Sequence, residues 1–404
     1  MNDETLSTAV RPASPRRASV ADELRSRADA TATEAAKYAD VVDRDARFPE
    51  ETFARARAER LLGMQIPIEL GGEGASVSDV VDACYILGRA CASSAMIFAM
   101  HQIMVRILVR HAEGSAWHRA FMRRIASEQL LLASSTTENQ TGGDVRASTC
   151  AVEPTGERIS LTKSATVMSY GAQADAILTT ARRALDSPPS DQVLVALLKD
   201  DYQLERIVDW DVLGMRGTCS TGFTLRGSGS REQVLPVHYD PIHAESMVPV
   251  AHLTWSAVWT GIAAGAVARA QRFVREAARK GGQAPPGAAH LARTAMSLRT
   301  LRGSVSAALH RYEAAARVDG ELGTLDFQTS MNLLKVSSSE TAIATVLGAM
   351  QACGLSGYRN QGEFSICRSL RDVLSSAIMI NNDRILASAA NALLLVGVPQ
   401  RLRD

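Results

Sequence analysis

The spacing of apolar residues changes twice along this 404-residue chain, and that change constrains the fold more than any other feature. From about Ser19 to Glu128 the spacing is helical. The stretch Val77 to His111 places Val80, Val81, Cys84, Ile86, Leu87, Cys91, Met96, Ile97, Met100, Met104 and Leu108 at steps of three and four, as partly buried helices require. From Leu130 to about Pro236 the period shortens. Leu131–Thr137, Ala176–Ala181, Val193–Leu198 and Gly222–Leu225 are short runs between Gly, Pro, Asp and Ser clusters, which reads as a small all-β domain of hairpins. Ser187–Asp191, SPPSD, marks a turn between two of those strands. From Ala251 the chain is helical again and rich in alanine. Leu291, Leu298, Val305, Leu309 and Tyr312 share one face, and Ile343, Val346, Leu347 and Met350 another, closed by Gly354. Pro285 and Pro286 separate two of these helices. The expectation is an α+β protein with a tail over 1–18, a helical domain over 19–130, a β domain over 131–240 and a helical bundle over 241–404.

Composition removes several functions. Lys+Arg number 44 and Asp+Glu 43, so the chain lacks the basic surplus that sequence-independent nucleic-acid binding needs. No apolar run approaches the roughly 18–20 residues of a membrane span, so no membrane partner is expected; Ala392–Val398 is far too short. The opening MNDETLSTAVRPASPRR is basic without an apolar core, which reads as a frayed tail rather than a secretory signal. The six cysteines form no C-x-x-C pair, the pattern of a reduced, cytoplasmic enzyme. The histidine pairs His111/His118 and His238/His243 lack a carboxylate pattern, so no metal site is expected. The glycine clusters Gly71–Gly74 and Gly142–Asp144 lack the context of a dinucleotide or phosphate loop, and no G-x-S-x-G elbow is present.

The order helical, β, helical resembles the acyl-CoA dehydrogenase superfamily, and local motifs carry the resemblance. Ile66–Gly74, IPIELGGEG, is similar to the family's I-P-x-x-Y-G-G-x-G. Ser134–Asp144, SSTTENQTGGD, resembles T-E-P-x-x-G-S-D. Ser164–Asp175, SATVMSYGAQAD, sits where the family has a K-x-W-I-T/S-x-G-x-x-A-D strand. Leu213–Ser220, LGMRGTCS, matches L-G-M-R-G-T-x-S, and Ala263–Arg272 is similar to the first C-terminal helix. Gln351–Tyr358 and Arg368–Asp372 resemble Q-x-x-G-G-x-G-Y and R-x-x-R-D. The resemblance implies a middle β-barrel, a C-terminal four-helix bundle, and FAD, or FMN in its place, between them. It also implies a homodimer or homotetramer whose neighbour meets the adenine end of the cofactor. Ser134, Thr136, Thr137, Gly142, Gly143, Val167, Ser169, Gln351 and Gly354 are the cofactor-binding positions carried over. Thr137 falls on the hydroxyl that bonds the flavin, Ser169 on the hydroxyl near N5, and Val167 on a tryptophan that commonly covers the ring. Gly143 replaces the serine of G-S-D.

Two departures matter for chemistry. The family's catalytic glutamate commonly lies nine residues after the arginine of R-D, which here is Ile380; its other seat, seven residues before Gly265, is Val258. Neither can take a proton. Where many members carry R-K-x-F-G for the pyrophosphate, this chain reads QAPPG over Gln283–Gly287. His101 and Asp383 are the expected substitutes for the base: His101 because its helix borders the family's substrate pocket, Asp383 because it lies three residues beyond Ile380. The bland readings are a backbone-bonded core histidine, an ion pair of Asp383 with Arg384, and a helix cap for Asn381 or Asn382. The expected function is α,β-desaturation of an acyl thioester of coenzyme A or a carrier protein, with an electron-transfer partner. The alternative is a flavin monooxygenase of the same fold, fed by a flavin reductase, with a Ser/Thr and a histidine near N5.

Overall fold

The computed structural model describes residues 15–139 and 145–398. Five helices open the chain: α1 (Pro15–Arg44), α2 (Glu50–Ala58), α3 (Val77–Ala90), α4 (Ala92–His111) and α5 (Ala116–Glu128). Helix α1 thus begins within the expected tail, and residues 1–14 lie outside the described residues. Ser76 caps α3 by accepting from the Asp79 N–H while the Asp79 carboxylate accepts from the Ser76 N–H, so two otherwise unpaired donors are satisfied together. Cys91, extended at φ −146° and ψ 114°, breaks the long apolar stretch into α3 and α4.

The middle domain consists of two sheets. One joins β1 (Leu132–Ser135), β4 (Ala176–Arg182) and β5 (Gln192–Leu198); the other orders β2 (Glu153–Thr155), β3 (Arg158–Ala165), β7 (Gly222–Ser230) and β6 (Tyr202–Val208). The all-hairpin expectation needs correcting here, because β1 and β4 pair in parallel, Leu132 opposite Ala176. Strands β4 and β5 are buried on both faces, which is why their sequences read as unbroken apolar runs. Strand β3 alternates exposed and buried residues, with Arg158, Ser160, Thr162 and Ser164 outward, and its polar half hid it from the sequence reading. The strand that the resemblance assigns to Ser164–Asp175 ends at Ala165, and the chain then turns, with Tyr170 at φ 43°.

The remainder is helical: α6 (Tyr239–Ile242), a π-helical turn (His243–Met247), α7 (Val248–Gly281), α8 (Ala288–Ala315), α9 (Leu325–Cys353), α10 (Leu355–Tyr358), α11 (Cys367–Leu374) and α12 (Asn382–Ala392). The long helices α7, α8 and α9 pack on one another, and α11 and α12 pack on α9. Helix α3 crosses α7 so closely that a Cβ on Gly88 would stand 2.6 Å from the Val258 carbonyl oxygen. Contrary to the expectation from apolar runs, two helical stretches, Ala92–His111 and Tyr239–Gly281, are long and apolar enough to cross a membrane. Their most apolar windows are 83% and 89% buried inside the fold, the position of core helices.

Candidate functional site

Helix α4 shows how the sequence shapes the site. Met96, Met100, Ile103 and Met104 recur at i, i+4, i+7 and i+8, and all four line one cavity of about 630 Å³. Strand β1 and the segment after it bring Ser134, Thr136 and Thr137 to the same space; the turns after β3 add Val167 and Ser169. Helix α6, the π turn and α7 add Tyr239, His243, Met247, Val248, Ala251, His252 and Trp255, and Leu374–Ile380 close it from the bundle. The lining is mainly apolar with a few polar groups, and its volume falls in the about 300–1,000 Å³ range of small-molecule sites.

The polar groups on the β-domain side form a directed chain. The Thr218 hydroxyl donates to the Met215 carbonyl at 2.8 Å, so its oxygen must accept from Ser220, 2.7 Å away. Ser220 has then used its proton, and the Ser169 hydroxyl donates to it at 2.8 Å. Ser169 therefore presents oxygen lone pairs, not a proton, to the cavity. Backbone geometry around this chain is costly. Tyr170 (φ 43°), Met215 (φ 55°) and Cys219 (φ 47°) are left-handed non-glycine residues beside Ser169, Thr218 and Ser220, and Ile380 on the opposite wall is at φ 50°. Each such residue costs on the order of 1–3 kcal/mol and persists only where its surroundings enforce it, as at binding sites. Asp372 enforces one of them: its carboxylate accepts from the Met215 N–H at 2.7 Å, and burial raises it to about 6. Gly214 is required beside it, since a Cβ there would lie 2.1 Å from the Arg371 carbonyl oxygen.

The structure brings together Ser134, Thr136, Thr137, Val167 and Ser169 at one cavity, and Ile380 faces them. Thr137 donates to the Val167 carbonyl at 3.3 Å, tying the two segments. Gly142 and Gly143 lie outside the described residues. Gln351 and Gly354 do not line the cavity: Gln351 is exposed near the end of α9, and Gly354 is its C-cap at φ 56° and ψ −139°. Val258 is fully buried against α3 and does not line it either.

Both expected bases need correcting. His101 lies about 100° around α4 from Met100 and points into the core. Its Nε2–H donates to the Leu62 carbonyl at 2.8 Å and its Nδ1 accepts from the Leu132 N–H at 3.0 Å, so neither nitrogen is left for a substrate. Burial holds the ring neutral, pushed down to about 4. Asp383 is exposed and off the cavity. The helical spacing assumed between Ile380 and Asp383 fails because Ile380 is left-handed and α12 starts only at Asn382, capped by the Asn381 side chain at 2.8 Å. Asn382 is buried, accepting from Lys335 at 2.7 Å and donating to Ser339 at 2.9 Å.

Sequence reasoning missed the α6–α7 wall. His252 is 3% exposed, lines the cavity and donates from Nδ1 to the Met331 carbonyl at 3.1 Å. Burial pushes it down to about 3, and the nearby Lys335 charge acts in the same direction. Tyr239 and Trp255 line the cavity too, and the Tyr239 hydroxyl and Trp255 Nε1 are buried without a protein partner. The signal was a polar or aromatic residue each turn in an otherwise apolar helix. Behind the wall, buried Lys335 donates to the Ile380 carbonyl and to Asn382 Oδ1, each at 2.7 Å, and its ammonium sits 5.7 Å from the Trp259 ring centre. Among the described residues no cluster suited to a metal ion occurs.

A helical domain, a two-sheet domain and a helical bundle enclose this mostly apolar cavity. The chain belongs to the acyl-CoA dehydrogenase family: residues 20–129 match the acyl-CoA dehydrogenase N-terminal domain and residues 244–387 the C-terminal domain. Amino sugar nitrososynthase DnmZ of Streptomyces peucetius is 26% identical over 346 residues, covering 83% of this chain and 84% of that one. Among solved structures, FMN-bound TdsC from Paenibacillus sp. A11-2, a dibenzothiophene monooxygenase, superposes with a TM-score of 0.81 at 20% identity, covering 93% and 98% of the two chains. Butyryl-CoA dehydrogenase from Megasphaera elsdenii superposes with a TM-score of 0.77 at 17% identity, covering 97% and 100%.

Proposed function

We propose that this chain is a flavin-dependent monooxygenase rather than an acyl thioester desaturase. One observation carries the reading: among the described residues, no aspartate or glutamate lines the cavity. The desaturation that the resemblance implies takes the α-proton with a carboxylate. Ile380 cannot ionise, Val258 is buried elsewhere, His101 is bonded at both nitrogens, and Asp383 faces away. A reaction that draws its electrons from reduced flavin rather than from the substrate needs no such base.

The cavity fits a flavin ring. Its hydroxyl-bearing side carries the residues that the resemblance gives to the cofactor, and Ser169 there offers lone pairs. Reduced flavin carries a hydrogen on N5 and oxidised flavin does not, so an accepting Ser169 complements the reduced ring. Bound reduced flavin supplies two electrons, so substrate, O2 and reduced flavin give oxygenated product, water and oxidised flavin. The residues' part is to hold the ring, exclude water with the methionine wall, and orient substrate. The FMN bound in TdsC and the loss of R-K-x-F-G support FMN over FAD. A flavin reductase is the implied partner, in the cytoplasm, and a homodimer or homotetramer the implied assembly.

The test is to load the purified chain with FMN or FAD and mix it anaerobically with a panel of acyl thioesters. The flavin spectrum should stay oxidised. Supplying reduced flavin and ¹⁸O₂ with the true substrate should then put one ¹⁸O atom into product. Bleaching by any thioester would restore the desaturase reading.

A further inference from the structure

The cavity holds a second element of recognition, apart from the flavin side. Its helical wall is apolar, with Met96, Met100 and Met104 from α4 and Met247 and Trp255 from the α7 side. Methionine and tryptophan walls suit flat, polarisable molecules. The wall offers nothing to an ionic group: among the described lining residues, Arg371 alone has a full charge, and its guanidinium bonds the Leu213 carbonyl and the Asp43 carboxylate.

Polar groups interrupt this wall, and among them His252 offers an acceptor where the Tyr239 hydroxyl and Trp255 Nε1 offer donors. A carbonyl can only accept, so the bond to Met331 places the proton on Nδ1. Nε2 is then an unprotonated acceptor on the far side of the ring from that carbonyl. No described protein group bonds it, although the residue is 3% exposed. An acceptor on a mostly apolar cavity wall is matched best by a ligand that brings it a donor.

We infer that His252 is the specificity-determining residue of the substrate pocket, accepting a hydrogen bond from an N–H or O–H group on an uncharged, mainly aromatic ligand. The inference rests on the cavity being the substrate site but not on the reaction performed there. Binding tests it, whereas oxygen incorporation tests the monooxygenase reading, so the two fail separately.

The probes are indole, benzothiophene, which has the same shape without the N–H, and indole-3-carboxylate, which adds a negative charge. Each is titrated calorimetrically into the full chain loaded with FMN. Indole should bind about 10-fold more tightly than benzothiophene, the worth of one hydrogen bond, and at least as far ahead of indole-3-carboxylate. In His252→Leu the indole preference over benzothiophene should vanish while benzothiophene affinity holds. In His252→Gln, which keeps an acceptor, part of it should return; a merely structural role would move all ligands together. Equal affinity for indole and benzothiophene in the parent chain, absence of indole binding, tighter binding of the carboxylate, or a preference that survives His252→Leu would each overturn the inference. If His252→Leu does not fold, the parent ratio and His252→Gln decide.

Discussion

His101 and His252 occupy two different helical domains, and locally they look alike. Each is buried, each donates from one ring nitrogen to a main-chain carbonyl, and each is held neutral by burial, His101 down to about 4 and His252 to about 3. They differ in what meets the other nitrogen. For His101 it is the Leu132 N–H, which ties α4 to the first strand of the β domain; for His252, which lines the cavity, no described protein group bonds it. A histidine's partners, more than its burial or its pKa, decide whether it holds the fold or reads a ligand.

The largest effect that separates them is on stability. His101→Phe strands the Leu132 N–H in the core, at about 1–3 kcal/mol, and leaves the Leu62 carbonyl with only the long 3.4 Å bond from the Gln102 amide. We expect a loss of about 3 kcal/mol in urea unfolding. His252→Leu strands no group, because the Met331 carbonyl lies inside α9 and keeps its helical donor, so it should lose no more than about half as much. Equal losses would remove the contrast.

Acid should not separate the two, and that is a test as well. The folded chain keeps these rings neutral while the unfolded chain protonates them below its ordinary value of about 6.5. The unfolded state therefore binds more protons between pH 6.5 and about 4, so stability falls as pH drops through that window. His111 and His118, each also lowered to about 4, add to the slope. His101→Gln keeps a donor for Leu62 and an acceptor for Leu132 but cannot titrate. It should flatten the dependence by up to about 1.4 kcal/mol per pH unit, and His252→Gln should do the same. An unchanged slope for either variant would mean that the folded ring protonates normally.

Behind the His252 wall, Lys335→Met would leave the Ile380 carbonyl and Asn382 Oδ1 without their donor. Ile380 is β-branched and left-handed, so it should relax once its carbonyl is freed. We expect a loss of about 2 kcal/mol, with weaker binding of all ligands alike because the wall over the cavity shifts. A selective loss of donor-bearing ligands would instead move the recognition role from His252 to Lys335.

How much of this could be read in the sequence follows from the same geometry. The three-part fold was legible because the apolar period changes with the element, and β4 and β5 stood out as unbroken apolar strands. Strand β3 did not, because half of its residues face water. Ser134, Thr136, Thr137, Val167 and Ser169 were legible through family motifs, and they converge. His101 was misplaced because spacing locates a residue on a helix but not the core towards which that helix is turned. Asp383 was misplaced because the left-handed Ile380 and the cap at Asn381 break the helical register. His252, Tyr239 and Trp255 gave no motif at all. Their role comes from α7 lying against the cavity, a tertiary fact.

The smallest expected effects lie on the flavin side, and they rank the hydroxyls. Thr218→Val removes the donor to the Met215 carbonyl and the acceptor for Ser220, so the chain of hydroxyls loses its direction and Ser169 is free to turn its proton into the cavity. Reduced flavin should then bind roughly 3–10-fold more weakly, the worth of one hydrogen bond, with oxidised flavin little affected. Thr137→Val should matter less. Its hydroxyl already donates, at 3.3 Å, to the Val167 carbonyl, and Val167 is 41% exposed, so water can replace that bond when the hydroxyl goes. We expect flavin affinity to change by no more than about twofold, measured by fluorescence titration in both oxidation states. A loss beyond 10-fold in Thr137→Val, with Thr218→Val unchanged, would place the decisive flavin contact on the segment after β1 and take it away from Ser169.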